Sequence, residues 1–444
     1  MTQAWAITAD WETLGEGELA ERRCFGAIGI QANGVWLTEG HDLLSDRLCR
    51  APLVCAYQLA EWFAWNWWRL RWEPRAASNE WCMAHKISSI GGGYVWPNIS
   101  ISSDGERTAL ISCATKERAQ TSFRYINDSI AVISSAEFES VVDDFIELIL
   151  SRLASEGIGD TNLERLWTDL RIERSDPALF KARKLEALLG YEPDELDGEL
   201  IERLISDGSD VGAAAIDELA ADCGHMRTAT VPSISDLFTV SEQYGFEMSP
   251  SSMVALDKAY GHSAEQGLPA WQFGANAARA LRQQEKLGDG PISDSNLTTL
   301  LAVHKNVLSK NEDTHPTCNM SFALDSADRE GRIVLRSKWR AGRRFELARI
   351  LGDRLMNAYG GRLHPATRAF TYRQKAQRSF AAEFLSPFES TLGMLEGDYS
   401  LENQLDVAAH FEVSEMTIRA QLVDHKILER EDLEPDLSTS GARC

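Results

Sequence analysis

Phe345-Glu346-Leu347-Ala348-Arg349-Ile350-Leu351-Gly352-Asp353-Arg354-Leu355 is the stretch on which the reading of this chain turns. By itself it is an amphipathic helix that begins near Arg343. Upstream, Ser321–Leu324 and 332–335 read as strands of a small sheet leading into it. About twenty residues downstream comes Arg378-Ser379-Phe380-Ala381-Ala382-Glu383-Phe384-Leu385-Ser386-Pro387. A last helical pair covers about 401–428, with Val407-Ala408-Ala409-His410-Phe411-Glu412-Val413-Ser414 at its turn. There Leu405, Ala408, Phe411, Val413, Ile418 and Leu422 supply the packing of a helix-turn-helix, and Ser414 is placed to cap the second helix.

In that order and spacing the three strings resemble the ImmA/IrrE family of zinc peptidases. That family shows F-x-L-A-H-E-L-G-H-x-L, then E-x-N-x-F-A-A-x-L-L-M-P, then a helix-turn-helix-like pair. The resemblance covers about a quarter of the chain, or about half if 232–330 is the family's helical lead-in. It implies a zincin-like domain and a bacterial setting in stress response, mobile-element control or phage defence. The departures from the pattern decide the chemistry. In H-E-x-x-H the two His share one helix face and bind zinc, while the Glu takes a proton from the bound water. Here Arg349 stands at the first His, Ile350 at the Glu and Asp353 at the second His, and Ala376 aligns with the Glu that is the third ligand. An arginine cannot shed its proton to become a ligand, and an isoleucine exchanges none. The resemblance therefore implies a pseudo-peptidase with no catalytic residue, no metal and no cofactor. Arg349 and Asp353, one helical turn apart, are placed to form a salt bridge in the metal's stead.

The 444 residues suffice for roughly two to four domains, and 44% apolar with 25% charged residues is ordinary for a globular chain. The net charge of −22 is unevenly spread. Residues 329–378 hold fourteen Lys/Arg against Glu330, Glu346 and Asp353, a net +11, whereas 192–222 hold eleven acids and only Arg203. The basic segment is either a ligand-facing surface or an internal partner for the acidic stretches. As a surface, it would offer Arg336, Lys338, Arg340, Arg343 and Arg344 to DNA or RNA. The terminal helical pair sets Arg419 and Lys426 against Glu412, Glu415 and Asp424, which argues against groove reading. No basic leader, apolar span or CxxC pair is present, so the chain is expected to be cytoplasmic, without a membrane partner and with reduced cysteines. Cys223 and His225, with His315 and Cys318 further on, are the remaining candidates for a zinc site.

Further towards the N-terminus, short strands at 25–30 and 35–38 precede a helical stretch over about 53–72. Alternating runs at 94–102 and 107–113 flank Asp104-Gly105, a strong hairpin signal, and 138–153 closes the region as an amphipathic helix. Ile90-Gly91-Gly92-Gly93 reads as a turn. Trp62, Trp65, Trp68 and Trp72 follow helical spacing and share one face, which is either core or a stacking surface with Arg69 and Arg71 beside it. The expected architecture is α+β and multidomain. It comprises a Trp-rich α/β domain (1–155), an acidic helical segment (156–230), a zincin-like pseudo-peptidase domain (231–395), a helix-turn-helix-like pair (396–432) and a loose tail (433–444). The expected role is binding or regulation through a protein partner. The rivals are a nucleic-acid-binding regulator and an enzyme whose site lies in the N-terminal domain.

Overall fold

Antiparallel pairing organises the N-terminal part of the chain, in a computed structural model that describes residues 4–226, 230–257, 267–309, 319–326, 330–357 and 361–429. Strand β1 (Trp5–Trp11) leads through α1 (Leu19–Arg23) to β2 (Phe25–Ala32), and β2 pairs with β1, with β3 (Val35–Trp36) and with β6 (Leu53–Cys55). Between them, β4 (Gly40–Asp42) pairs with β5 (Arg47–Cys49) and later with β9 (Phe123–Tyr125). Helices α2 (Ala56–Trp72) and α3 (Asn79–His85) precede a third sheet of β7 (Ile99–Ser103), β8 (Arg107–Ser112) and β10 (Ser129–Ser134). The expected hairpin closes where Asp104 Oδ1 accepts from the Glu106 and Arg107 amides and Gly105 takes φ +102°. Helices α4 (Ser135–Ser155), α5 (Asn162–Ser175) and α6 (Pro177–Leu188) complete this region.

The chain then continues through α7 (Gly198–Val211), α8 (Ala213–Met226), α9 (Ile234–Tyr244), β11 (Phe246–Met248), α10 (Ala270–Gln284) and α11 (Asp294–Leu300). A four-stranded antiparallel sheet follows in the order β11, β13 (Gly331–Val334), β12 (Ser321–Leu324), β14 (Leu363–Ala366). Helix α12 (Arg340–Met356) leads into β14, and α13 (Tyr372–Leu385), α14 (Phe388–Leu395), α15 (Leu401–Phe411) and α16 (Glu415–Asp424) follow it. The structure is thus mixed α and β, and among the described residues no helix is long and apolar enough to cross a membrane.

Two compact units divide the chain: Met1–Glu202 with Gly224–Arg227, and Arg203–Cys223 with Thr228–Arg443. The division falls elsewhere than the boundaries expected at 155 and 230. Leu163, Trp167 and Leu170 of α5 belong to the core of the first unit, so the acidic segment is no separate body. Val407, Phe411, Ile418 and Leu422 share one core with Ile350 and Phe380, so the terminal helical pair belongs to the second unit. The expected tail lies outside the described residues.

Helix α2 is the centre of the first unit and is buried on nearly every side, as an internal helix is. Trp62, Trp67 and Trp68 are buried, Trp72 is half-buried beneath the cations of Arg71 and Lys184, and Trp65 alone of the five is exposed, at 56%. The single aromatic face expected of Trp62, Trp65, Trp68 and Trp72 is therefore not formed. Burial around an enclosed helix follows the elements that cover it, and helical spacing alone does not reveal them. Arg69 and Arg71 are also internal, bonded to Glu73 and Glu139 at 2.7 and 2.5 Å. Trp67→Ala or Trp68→Ala should cost about 3–5 kcal/mol, and Trp65→Ala less than about 1 kcal/mol, by chemical denaturation. A Trp65 cost equal to that of Trp67 would contradict this placement.

Candidate functional site

The helix quoted first runs as α12 beside α13, with β14 at their ends. Helices α12 and α13 approach closely, since a Cβ on Gly352 would lie 2.5 Å from the Phe380 ring, and α10 also packs on α13, where a Cβ on Gly274 would lie 2.1 Å from the Ala376 carbonyl oxygen. Ala376 is buried at that crossing, and Ile350 is wholly buried in the apolar core. Thr371 caps α13 by accepting from the Gln374 amide at 3.2 Å. The first turns of α13 then present partly buried Arg373 and fully buried Gln374 and Gln377 to α12.

Asp353 is the hub. Its Oδ1 accepts from Arg373 Nε at 2.7 Å, Gln377 Nε2 at 2.7 Å and Asn357 Nδ2 at 3.0 Å. Its Oδ2 accepts from Arg373 Nη2 at 2.6 Å and His364 Nδ1 at 2.9 Å, which makes Nδ1 the protonated nitrogen of that imidazole. Burial opposes the charge, but hydrogen bonds from Arg373 and His364 prevail and hold the carboxyl well below the usual range. The expected Arg349–Asp353 salt bridge is absent, because Arg373 occupies the carboxylate bidentately. Arg349 instead donates through Nη2 to Thr367 O (2.7 Å), Gln374 Oε1 (2.5 Å) and Gln377 Oε1 (3.3 Å). Burial, then neighbouring Arg378, lowers its pKa to about 9.

These residues do not fit the zinc that the resemblance implies. The one carboxylate has both oxygens committed, a guanidinium stands one turn away, and an isoleucine fills the position of the base. Nor do the described residues contain any other group of three or more His, Cys, Asp and Glu placed to hold a metal. Cys223 Sγ contacts Thr230 O at 3.6 Å and His225 Nδ1 meets Arg75 O at 3.0 Å, while His315 and Cys318 lie outside the described residues.

The basic segment does not form one cationic surface. Arg343 is buried and donates to Val307 O at 2.8 Å, and Arg344, fully buried, bonds Asp294 and Ile292 O. Arg340 pairs with Asp294 and Glu412 at 2.7 and 3.1 Å, and Arg336 lies 3.8 Å from Glu346, leaving Lys338 exposed. Most of this neutralisation comes from Asp294 and Glu412 and not from 192–222, whose Glu218 and Asp222 do act on Arg378. In the terminal pair, Leu405 is 51% exposed, and Ser414 bonds Thr417 Oγ1 without capping the helix.

Sequence reasoning missed Glu218, His364, Arg373, Gln374 and Gln377. The i, i+4 pairs Arg373/Gln377 and Gln374/Arg378 ahead of an apolar run were the signal available for α13. In the first unit the comparable cluster is Arg69, Glu73 and His85. Both His85 nitrogens are engaged, by Glu73 Oε2 at 2.9 Å and Ile101 O at 2.7 Å, and its ring stacks on Trp81. Comparison of the chain with models of protein families, with curated proteins and with solved structures finds no match.

Asp353→Asn should destabilise by about 3–5 kcal/mol in urea denaturation, because it leaves the Arg373 cation buried without its partner. Glu218, whose Oε2 accepts from Thr371 Oγ1 at 2.6 Å, is pushed up to about 7 by burial, against Arg373, Thr371 and Gln374, with Asp353 adding to the rise. The folded state therefore takes up a proton relative to the unfolded chain, so the stability tied to this group is present below about pH 4.5 and lost as pH rises through about 7. Glu218→Gln should raise the melting temperature at about pH 8 and much less at about pH 5. Equal shifts at both values would refute the assignment.

Proposed function

We propose that the second unit is a degenerate ImmA/IrrE-like scaffold that has exchanged peptidase chemistry for a binding or regulatory role, in bacterial stress response, mobile-element control or phage defence. The observation that carries this reading is the Asp353 hub. A carboxylate bound by Arg373, His364, Gln377 and Asn357, with Arg349 one turn away, has the chemistry of a closed structural network. The setting is inherited from the sequence resemblance. A cytoplasmic protein partner is favoured over nucleic acid because Arg340, Arg343 and Arg344 are bonded internally, and phosphate binding draws on free cations.

Purified protein should carry far less than one zinc per chain by elemental analysis and should not cleave casein. One zinc per chain, together with proteolysis that a chelator abolishes, would overturn the reading. Labelled duplex and single-stranded DNA should bind weakly and lose affinity steeply with salt. Because Arg343 and Arg344 are buried, the informative charge reversal is Lys338→Glu with Arg368→Glu, both exposed. Sub-micromolar binding at physiological salt, abolished in that variant, would promote the nucleic-acid reading.

A further inference from the structure

Arg349 and Arg378 of the second unit meet no carboxylate within ion-pair distance among the described residues. Arg349 Nη2 donates to Thr367 O at 2.7 Å, and Arg378 Nη1 reaches the same oxygen at 3.5 Å, so two cations converge on one neutral acceptor. Their remaining acceptors are neutral too: the Gln374 and Gln377 side-chain oxygens for Arg349, and Ala369 O at 2.7 Å for Arg378. The other buried arginines of the unit share no neutral acceptor with a second cation among the described residues. Arg344 and Arg373 have Asp294 and Asp353, while Arg282 and Arg343 are bonded through Nε to backbone carbonyls. Arg349 is 8% exposed, and its Nε is buried without any partner. Asp222, Glu218 and Asp424 act on Arg378, and Glu346, Asp353 and Asp222 on Arg349, only from beyond ion-pair distance.

A buried donor without an acceptor carries a desolvation cost, and two like charges at close range add to it. An oxyanion accepting from both arginines would remove both penalties, since charge-assisted bonds to guanidinium are among the strongest available. The Arg378 side is the less enclosed of the two. That residue is only partly buried, and the Phe370 ring, 5.4 Å from its guanidinium, is 46% exposed. We propose that Arg349 and Arg378 form a binding site for one small oxyanion, a phosphate or carboxylate group, between α12, α13 and the chain that follows β14. The proposal deepens the binding reading by naming a ligand chemistry for that unit.

The full chain is titrated calorimetrically with inorganic phosphate and with acetate, using chloride at matched ionic strength as the control. The expected result is saturable binding at one site per chain for phosphate or acetate and none for chloride, the preferred anion identifying the source. Arg378→Gln should weaken that binding about tenfold or more, and Arg378→Lys should restore part of it. Arg349→Gln should abolish it, and if that variant fails to fold, the two Arg378 variants still decide. Binding no stronger than that of chloride, or unchanged in Arg378→Gln, would overturn the proposal. Either failure leaves the zinc, casein and DNA measurements unaffected, so it is distinguishable from failure of the pseudo-peptidase reading.

Discussion

Burying the Asp353 carboxylate ties α12, β14 and α13 of the second unit into one arrangement. A carboxylate with no exposed surface is costly unless its oxygens are fully bonded, and here Arg373 and Gln377 of α13, His364 of β14 and Asn357 at the end of α12 supply the donors. Displacing α13 would strand the charge of Asp353. The apolar contacts around the hub agree with it, since Gly352 lets the Phe380 ring come against α12 at the level of Asp353. Polar satisfaction and close packing therefore select the same register.

The same constraint governs the basic segment. A run with net +11 looks like a surface only while its side chains are taken to point outward. In the fold, Arg343 and Arg344 enter the interior from the first turns of α12, where Val307, Ile292 and Asp294 receive them. Arg354 meets Asp325, and Arg332 lies 3.6 Å from Glu247. The positive charge is largely spent on the protein itself. Arg349 and Arg378 differ in converging on one neutral acceptor, Thr367 O, and on that ground they are proposed as an anion site.

In the first unit, α2 shows the same principle with aromatics. Its enclosure buries Trp67 and Trp68 and also draws in Arg69, which the Glu73 carboxylate and Glu192 accommodate at 2.7 Å each. Internal arginines are thus common to both units.

Local pattern was sufficient for the elements whose signal is local. The strand at Ser321–Leu324, the hairpin at Asp104-Gly105, the long helix near Arg343 and the terminal helical pair all follow from periodicity and turn residues that short segments carry alone. The short strands β11 and β14 went unread: Phe246–Met248 is only three residues long, and Pro365 within Leu363–Ala366 argues locally against a strand. The sequence by itself also determined what the α12 positions can do: Arg349 and Ile350 exclude the donor set of H-E-x-x-H wherever they are folded. What surrounds those residues was decided only in three dimensions. Asp353 is paired with Arg373, twenty residues on, and not with Arg349 at i−4, because a bidentate guanidinium from a facing helix satisfies both oxygens of a buried carboxylate. Helical spacing names the neighbours along one helix, whereas burial makes the decisive partner whichever donor the packing brings across from another.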